Sequence, residues 1–194
     1  MVLLIILWVL FFVSHSVLAA NGVKAAAEKM LGKGFIFYRI GYNVFSLLFL
    51  GLILFILIFK HEPDFVFAAD TAVSVAGLIL MAVGVIIMLL AFRNYDLGEF
   101  TGIKQLAQKI HHPEKLMVRG LNKYVRNPLY TGILVLVLGY FLRQPTWMNL
   151  VSMLIIYAYI YIGTVLEEKK LEQVFGDEYR AYKQQVKMLM PFVF

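Results

Sequence analysis

Five apolar runs divide the chain, at residues 2–20, 40–59, 71–92, 128–142 and 147–166, and the polar residues collect between them. Roughly 20 apolar residues cross the hydrocarbon of a bilayer as a helix, a length that all but the fourth run approach. The run 128–142 reaches roughly 22 Å at 1.5 Å per residue, and so needs a thinned bilayer or snorkelling ends to span. The polar turn Arg143-Gln144-Pro145-Thr146 joins it to the fifth run, which predicts a tight helical hairpin. The fifth run continues into an amphipathic stretch, Glu167-Glu168-Lys169-Lys170-Leu171, that is predicted to stop at Gly176. Asp177 then stands where it can cap a final short helix carrying Tyr179 and Tyr182. The pattern predicts an all-α integral membrane protein: one domain over residues 1–194, five transmembrane helices, a cytoplasmic loop at 93–127 and a cytoplasmic tail at 167–194.

Individual positions refine this outline. The first run ends on Val17-Leu18-Ala19-Ala20, as a cleaved leader would, but no basic residue precedes its apolar core, so a retained span is expected. His15 and Ser16 fall in its last turns, where a polar side chain reaches water or a neighbouring helix, and a structural role is expected. In the connection 21–39, Gly32-Lys33-Gly34 reads as a flexible turn, since no third glycine or preceding strand makes a nucleotide fingerprint. Gly77 and Gly84 lie two turns apart on one face of the third run and predict close helix packing, with Met81 and Met88 as core filling. Residues 103–110 predict a short interfacial helix ended by His111-His112-Pro113. Adjacent histidines rarely converge on one ion, and no Cys or spaced carboxylate completes a set, so His112 is read as a ligand-contacting donor and no metal is expected.

Composition agrees with the pattern. Hydrophobic residues make up 61% of the chain and charged residues 15%, with a mean hydropathy of +0.79, far too apolar for a soluble domain. The absence of cysteine excludes disulfides, thiolate metal sites and cysteine nucleophiles. A net charge of +6 does not indicate nucleic acid here, because loop charge in a membrane protein reports topology. Lys and Arg number four, seven and five in alternate loops, against one and one in the others. The positive-inside rule then puts the amino terminus outside, the carboxyl terminus in the cytoplasm, and residues 126–127 and 167–168 on the same face.

The chemistry concentrates where a basic loop runs into the fourth apolar run. Asn127 followed by Pro128 is a helix start, with Asn as N-cap and proline at the first helical position. The positive dipole end of that helix beside Arg126 suits a carboxylate or phosphate. Tyr130 lies one turn further in, and Glu167 with Glu168 ends the neighbouring helix. Arg126 and the helix start would take an anion and a glutamate a cation, so a ligand carrying both charges matches the set. An interfacial ion-pair network among Arg126, Glu167 and Glu168 accounts equally well for the charges alone.

Two ordered motifs go further. Gly120-x-x-x-Tyr124-Val125-Arg126-Asn127-Pro128-x-Tyr130-x-Gly132 is followed, about 35 residues on, by Glu167-Glu168-x-x-Leu171-x-x-x-Phe175-Gly176-x-x-Tyr179-x-x-Tyr182 and a late Pro191. Together they resemble the isoprenylcysteine carboxyl methyltransferase and phospholipid methyltransferase superfamily, over roughly the last 80 to 90 residues. The resemblance implies S-adenosylmethionine as methyl donor, held by His112, Leu116, Val118, Tyr124, Arg126, Asn127, Pro128, Tyr130 and Glu167. Within that set it puts Leu116 and Val118 against the adenine and Glu167 near the amino group. It implies Arg126, Glu167 and Glu168 as the catalytic set, Glu168 on the substrate side. Asn127 stands where the family usually has histidine, which removes imidazole chemistry there and leaves amide hydrogen bonding. Gly163 stands where an arginine is sought in eukaryotic carboxyl methyltransferases, against recognition of a prenylcysteine carboxylate.

A carboxylate acceptor needs no base, because it is already ionised; desolvation and alignment carry that transfer. An amine must first lose a proton, to Glu167 or Glu168. The expected function is a membrane methyltransferase most like the isoprenylcysteine carboxyl type, acting on a lipophilic or prenylated substrate that enters from the bilayer. Alternatives are a phospholipid-amine or small-thiol methyltransferase, and a catalytically silent membrane protein or small transporter of the same fold.

Overall fold

The structure, a computed structural model, describes residues 1–59, 64–93 and 116–190. His112, the short helix expected at 103–110, and Pro191 lie outside the described residues. Among the described residues the regular structure is helical, with two isolated bridges, Phe65 to Thr146 and Val125 to Lys187. Four helical stretches are long and apolar enough to cross a membrane: Val2–Ala19, Asn21–Phe59, Thr71–Phe92 and Trp147–Phe175. The protein is thus an integral membrane protein of helices. Pro128–Arg143 is also apolar but has only 16 residues. The chain divides into two compact units, whose described residues are 1–59 in the first and 64–93 with 116–190 in the second.

In the first unit α1 (Val2–Ala19) pairs with α3 (Tyr38–Phe59). Phe11 meets Phe49 edge-on at 5.7 Å, and His15 sits between two hydroxyls, 3.2 Å from Ser46 and 2.9 Å from Tyr42. Such bonds answer the cost of a polar side chain within a span. The connection is more ordered than its glycines suggest: α2 (Asn21–Leu31) is a full helix. It stops at Gly32, whose φ of +51° an L-residue rarely adopts, and a 3-10 turn, Gly32–Phe37, leads into α3.

The second unit is built on a close antiparallel pair, α4 (Thr71–Phe92) and α5 (Pro128–Arg143). Asp70 caps α4 by accepting from the Val73 amide at 2.8 Å. Gly77 faces Gly139 and Gly84 faces Gly132; a Cβ on Gly84 would stand 2.6 Å from the Leu136 nitrogen, and one on Gly139 2.6 Å from the Gly77 carbonyl. The seven-residue spacing on α4 has its counterpart on α5, and Met81 and Met88 pack beside the crossings. The hairpin then turns at Gln144 to Thr146, where the Thr146 hydroxyl caps α6 (Trp147–Phe175) through the Asn149 amide. Asn149 also donates to the Gln144 carbonyl at 2.7 Å, and Tyr157 ties α6 to α5 through the Leu134 carbonyl. At 29 residues, α6 is about 44 Å long, enough to leave the hydrocarbon and carry Glu167 onward.

α6 stops at Gly176, with φ +56°, and α7 (Asp177–Gln185) follows. Asp177 does not cap it: Gly176 holds the cap position, and Asp177 is the first helical residue, paired with Arg180 at 2.6 Å. An acid in the first turn still favours the helix dipole. Beyond α7 a bent strap, residues 186–190, is joined in parallel register to residues 125–127 through the Val125–Lys187 bridge.

Candidate functional site

The site lies where α5 begins, against the end of α6 and the strap. Pro128 opens α5 as its sequence requires, but Asn127 does not cap it with its side chain. Its amide donates instead to Glu168 Oε1 at 3.1 Å and to the Met188 carbonyl at 3.3 Å. The physical reason is orientation: the charge-assisted bond from Nδ2 to a buried carboxylate holds the side chain, whereas a cap would need its oxygen turned to the helix N–H groups.

Arg126 makes a bidentate pair with Glu168, Nε to Oε1 at 2.7 Å and Nη2 to Oε2 at 2.9 Å. Its Nη1 donates to the carbonyls of Lys183 and Val186. Both side chains are nearly removed from solvent, at 8% and 5% exposure. The corner that the sequence offers to an external anion therefore already holds an anion of the chain itself. Burial works against the Arg126 charge, but the hydrogen bond and charge of Glu168 outweigh it, and its pKa is raised. Lys183 completes the network, 3.7 Å from Glu168 Oε2 and 2.6 Å from Glu172 Oε1. The same lysine lowers the pKa of Glu172, through its hydrogen bond first.

The strap is fixed by the same residues. The amides of Arg126 and Asn127 donate to the carbonyls of Lys187 and Met188 at 2.8 and 3.2 Å. Thr131, one turn into α5, donates to the Leu189 carbonyl at 2.6 Å. Beneath it Tyr179, Tyr182 and Val186 form a buried cluster against Leu116, Leu171 and Phe175. Burial first, and the Glu168 charge second, push the Tyr179 hydroxyl well above the ordinary tyrosine range.

Glu167 has the opposite environment. It is exposed, about 100° around the helix from buried Glu168, and accepts from the Tyr130 hydroxyl at 2.9 Å. The structure thus brings Arg126, Asn127 and Glu168 together as a buried lock, and half-buried Tyr130 with exposed Glu167 as a second pair. Pro128 is buried. Leu116 packs on the Tyr179 cluster, while Val118 and Tyr124 are exposed, Tyr124 at 64%. Tyr124 also edges a cleft of about 590 Å³ lined by Leu90, Arg93, Gly120, Leu121 and Lys123. The sequence reading missed Lys183, Thr131 and the strap carbonyls; Lys183 at helical spacing from Tyr179 was a visible signal, whereas backbone carbonyls leave none. Among the described residues no group of three His, Cys, Asp or Glu side chains is arranged for a metal ion.

A helical membrane protein with an ion-paired helix start and an adjacent exposed acid is the class that fold and site define. Residues 72–178, more than half of the chain, match the family model of phospholipid methyltransferases, and the chain belongs to that family. It is a prokaryote-type member of the superfamily that also holds isoprenylcysteine methyltransferases, as its motifs resemble. It is 32% identical to methanethiol S-methyltransferase 1 of Bradyrhizobium diazoefficiens, over 97% of this chain and 66% of that one. A methanethiol S-methyltransferase of Crocosphaera subtropica is 28% identical over 95% of this chain and 72% of its own. A probable protein-S-isoprenylcysteine O-methyltransferase of Oryza sativa subsp. japonica is 29% identical over 62% of each. The chain thus spans about two thirds of the length of these relatives. No solved structure matches.

Proposed function

We propose that the protein is a membrane methyltransferase that uses S-adenosylmethionine and methylates a small or lipophilic thiol. The observation that carries the choice of acceptor is the saturation of Arg126. All three of its nitrogens are engaged, by Glu168, by the Lys183 carbonyl of α7 and by the Val186 carbonyl of the strap, so it has no face left for an acceptor carboxylate. Gly163 likewise supplies no cation. The relatives named methanethiol S-methyltransferases, matched over nearly the whole chain, favour the same reading. A prenylcysteine carboxylate, first by motif alone, becomes the second reading, supported by the rice relative over a shorter stretch.

The donor set fits the cofactor. An exposed carboxylate, Glu167, held by Tyr130, suits the ammonium of a methionyl group, and Val118 and Tyr124 offer exposed apolar surface to an adenosyl group. Leu116, Asn127, Pro128 and Arg126 back the site from behind, with Glu168 as the anchor of that wall. His112 belongs to the same proposed set by position in the motif. When bound, the cofactor supplies an electrophilic methyl group on a sulfonium, and this chain's residues bind, orient and exclude water around it. An acceptor thiol must reach the thiolate before it is a nucleophile, its proton passing to water, since Glu167 is taken by the ammonium. We also propose five spans, with α5 the short fourth, the amino terminus outside and the basic loops and tail in the cytoplasm.

Calorimetric titration of S-adenosylhomocysteine into the detergent-purified protein tests the cofactor, and methyl transfer to methanethiol or to the carboxylate of S-farnesylcysteine, a thioether, tests the acceptor. Saturable binding that Glu167→Gln weakens by about tenfold, roughly 1.4 kcal/mol, is expected, with transfer to the thiol. Absence of binding to the folded wild-type protein would overturn the reading.

A further inference from the structure

The proposed function leaves α2 unused. Its apolar residues Val23, Ala26, Ala27, Met30 and Leu31 recur at the spacing that lines one face of a helix. None of its residues is buried; Met30 is 86% exposed and Leu31 50%. Lys24 and Lys29 lie off that stripe, Lys33 follows in the 3-10 turn, and Glu28 is the single acid of the stretch. A short helix with a bare apolar stripe is costly in water, and nothing among the described residues of the first unit covers it.

Its position in the chain says what does. One extended residue, Ala20, separates α1 from α2, and the 3-10 turn Gly32–Phe37 runs directly into α3. The Tyr38 hydroxyl donates to the Leu18 carbonyl at 2.8 Å, so the start of α3 is tied to the end of α1. Both ends of the segment are therefore held at one membrane boundary. Phe35 and Tyr38 stack there at 5.4 Å, and Phe37 is 60% exposed, as aromatic side chains are in the headgroup layer.

We infer that α2 lies in the plane of the membrane surface, its Met30–Leu31 stripe among the acyl chains and its lysines on the headgroups of anionic phospholipids. The apolar stripe supplies the depth, and lysines near an anionic surface favour it by roughly fivefold each. A helix so seated fixes the end of the α1–α3 pair at a set height in the leaflet. This inference needs only membrane integration, not the methyltransferase reading.

The chain has no cysteine, so single labels are clean. Nitroxide-labelled Met30→Cys and Glu28→Cys proteins are placed in phosphatidylcholine bilayers with and without phosphatidylglycerol, and collisions with oxygen and with a water-soluble nickel chelate are compared. A fluorophore at Met30→Cys is then quenched by brominated phosphatidylglycerol or brominated phosphatidylcholine. The Met30 label is expected to be oxygen-accessible and chelate-shielded, and the Glu28 label chelate-accessible. Quenching by brominated phosphatidylglycerol should exceed that by brominated phosphatidylcholine several-fold, and Lys24→Gln/Lys29→Gln/Lys33→Gln should abolish the difference. A Met30 label as open to the chelate as Glu28 would put the helix in water and overturn the inference. So would a label shielded from both reagents, which means a protein partner, or equal quenching by the two lipids.

Discussion

At the scale of single residues, two adjacent glutamates on one helix do different work. Glu168 is buried against Arg126, Asn127 and Lys183, and exposed Glu167 accepts from Tyr130. Removing one partner of a buried pair leaves an unpaired charge, at a cost of about 3–5 kcal/mol, whereas removing both is much milder. Arg126→Met and Glu168→Leu should each lower the thermal unfolding temperature in detergent sharply, and the double variant should recover most of the loss; additive losses would contradict the lock. Tyr179 carries a pH signature. Its hydroxyl pKa is raised in the folded state, so its contribution is full below the unfolded value near 10 and is lost as pH climbs toward the folded one. Unfolding temperature followed above about pH 10 should fall less steeply in Tyr179→Phe than in the wild-type protein. The motif carrying Arg126 and both glutamates was legible as a charge pattern. Which glutamate Arg126 chooses was not, because adjacent helix positions differ by about 100° of rotation and only packing decides which one is buried.

At the scale of elements, the α4–α5 crossing rests on four glycines in register, Gly77 with Gly139 and Gly84 with Gly132. Membrane helices gain little from the hydrophobic effect against each other and associate through close van der Waals approach. A methyl group on Gly84 would strike backbone atoms of Leu136 and Gly132, which cannot yield as side chains do. Gly84→Ala should therefore cost about 1–3 kcal/mol or more, read as a lower unfolding temperature and yield of monodisperse protein. Gly163→Ala, with nothing within 4 Å of the added carbon, should be neutral or slightly stabilising. Half of the crossing was visible in advance, in the spacing of Gly77 and Gly84. The other half required knowing that α5, not another span, lies opposite. α2 was hidden because its apolar stripe is short and its flanking glycines read as loop, though Gly32 serves as the stop that a helix of that length needs.

At the scale of the whole molecule, the apolar runs describe a membrane protein, and the loop charges predict by the positive-inside rule that its basic segments share one face. Accessibility of tags at the two ends in sealed vesicles or cells should find the amino terminus on the outer side and the carboxyl terminus in the cytoplasm. Both ends on one side would remove a span, and α5, at 16 residues, is the one to doubt. The sequence alone determined the helical membrane class, the ends of α4 and α5, the continuation of α6 to Gly176 and the family, because hydropathy, proline, glycine and motif spacing act locally along the chain. Tertiary structure decided the rest: Glu168 rather than an outside anion at Arg126, an amide at Asn127 that faces a carboxylate instead of its helix, and a strap held by carbonyls. Those outcomes depend on which groups lose water together, and backbone atoms that every residue shares leave no mark in a sequence.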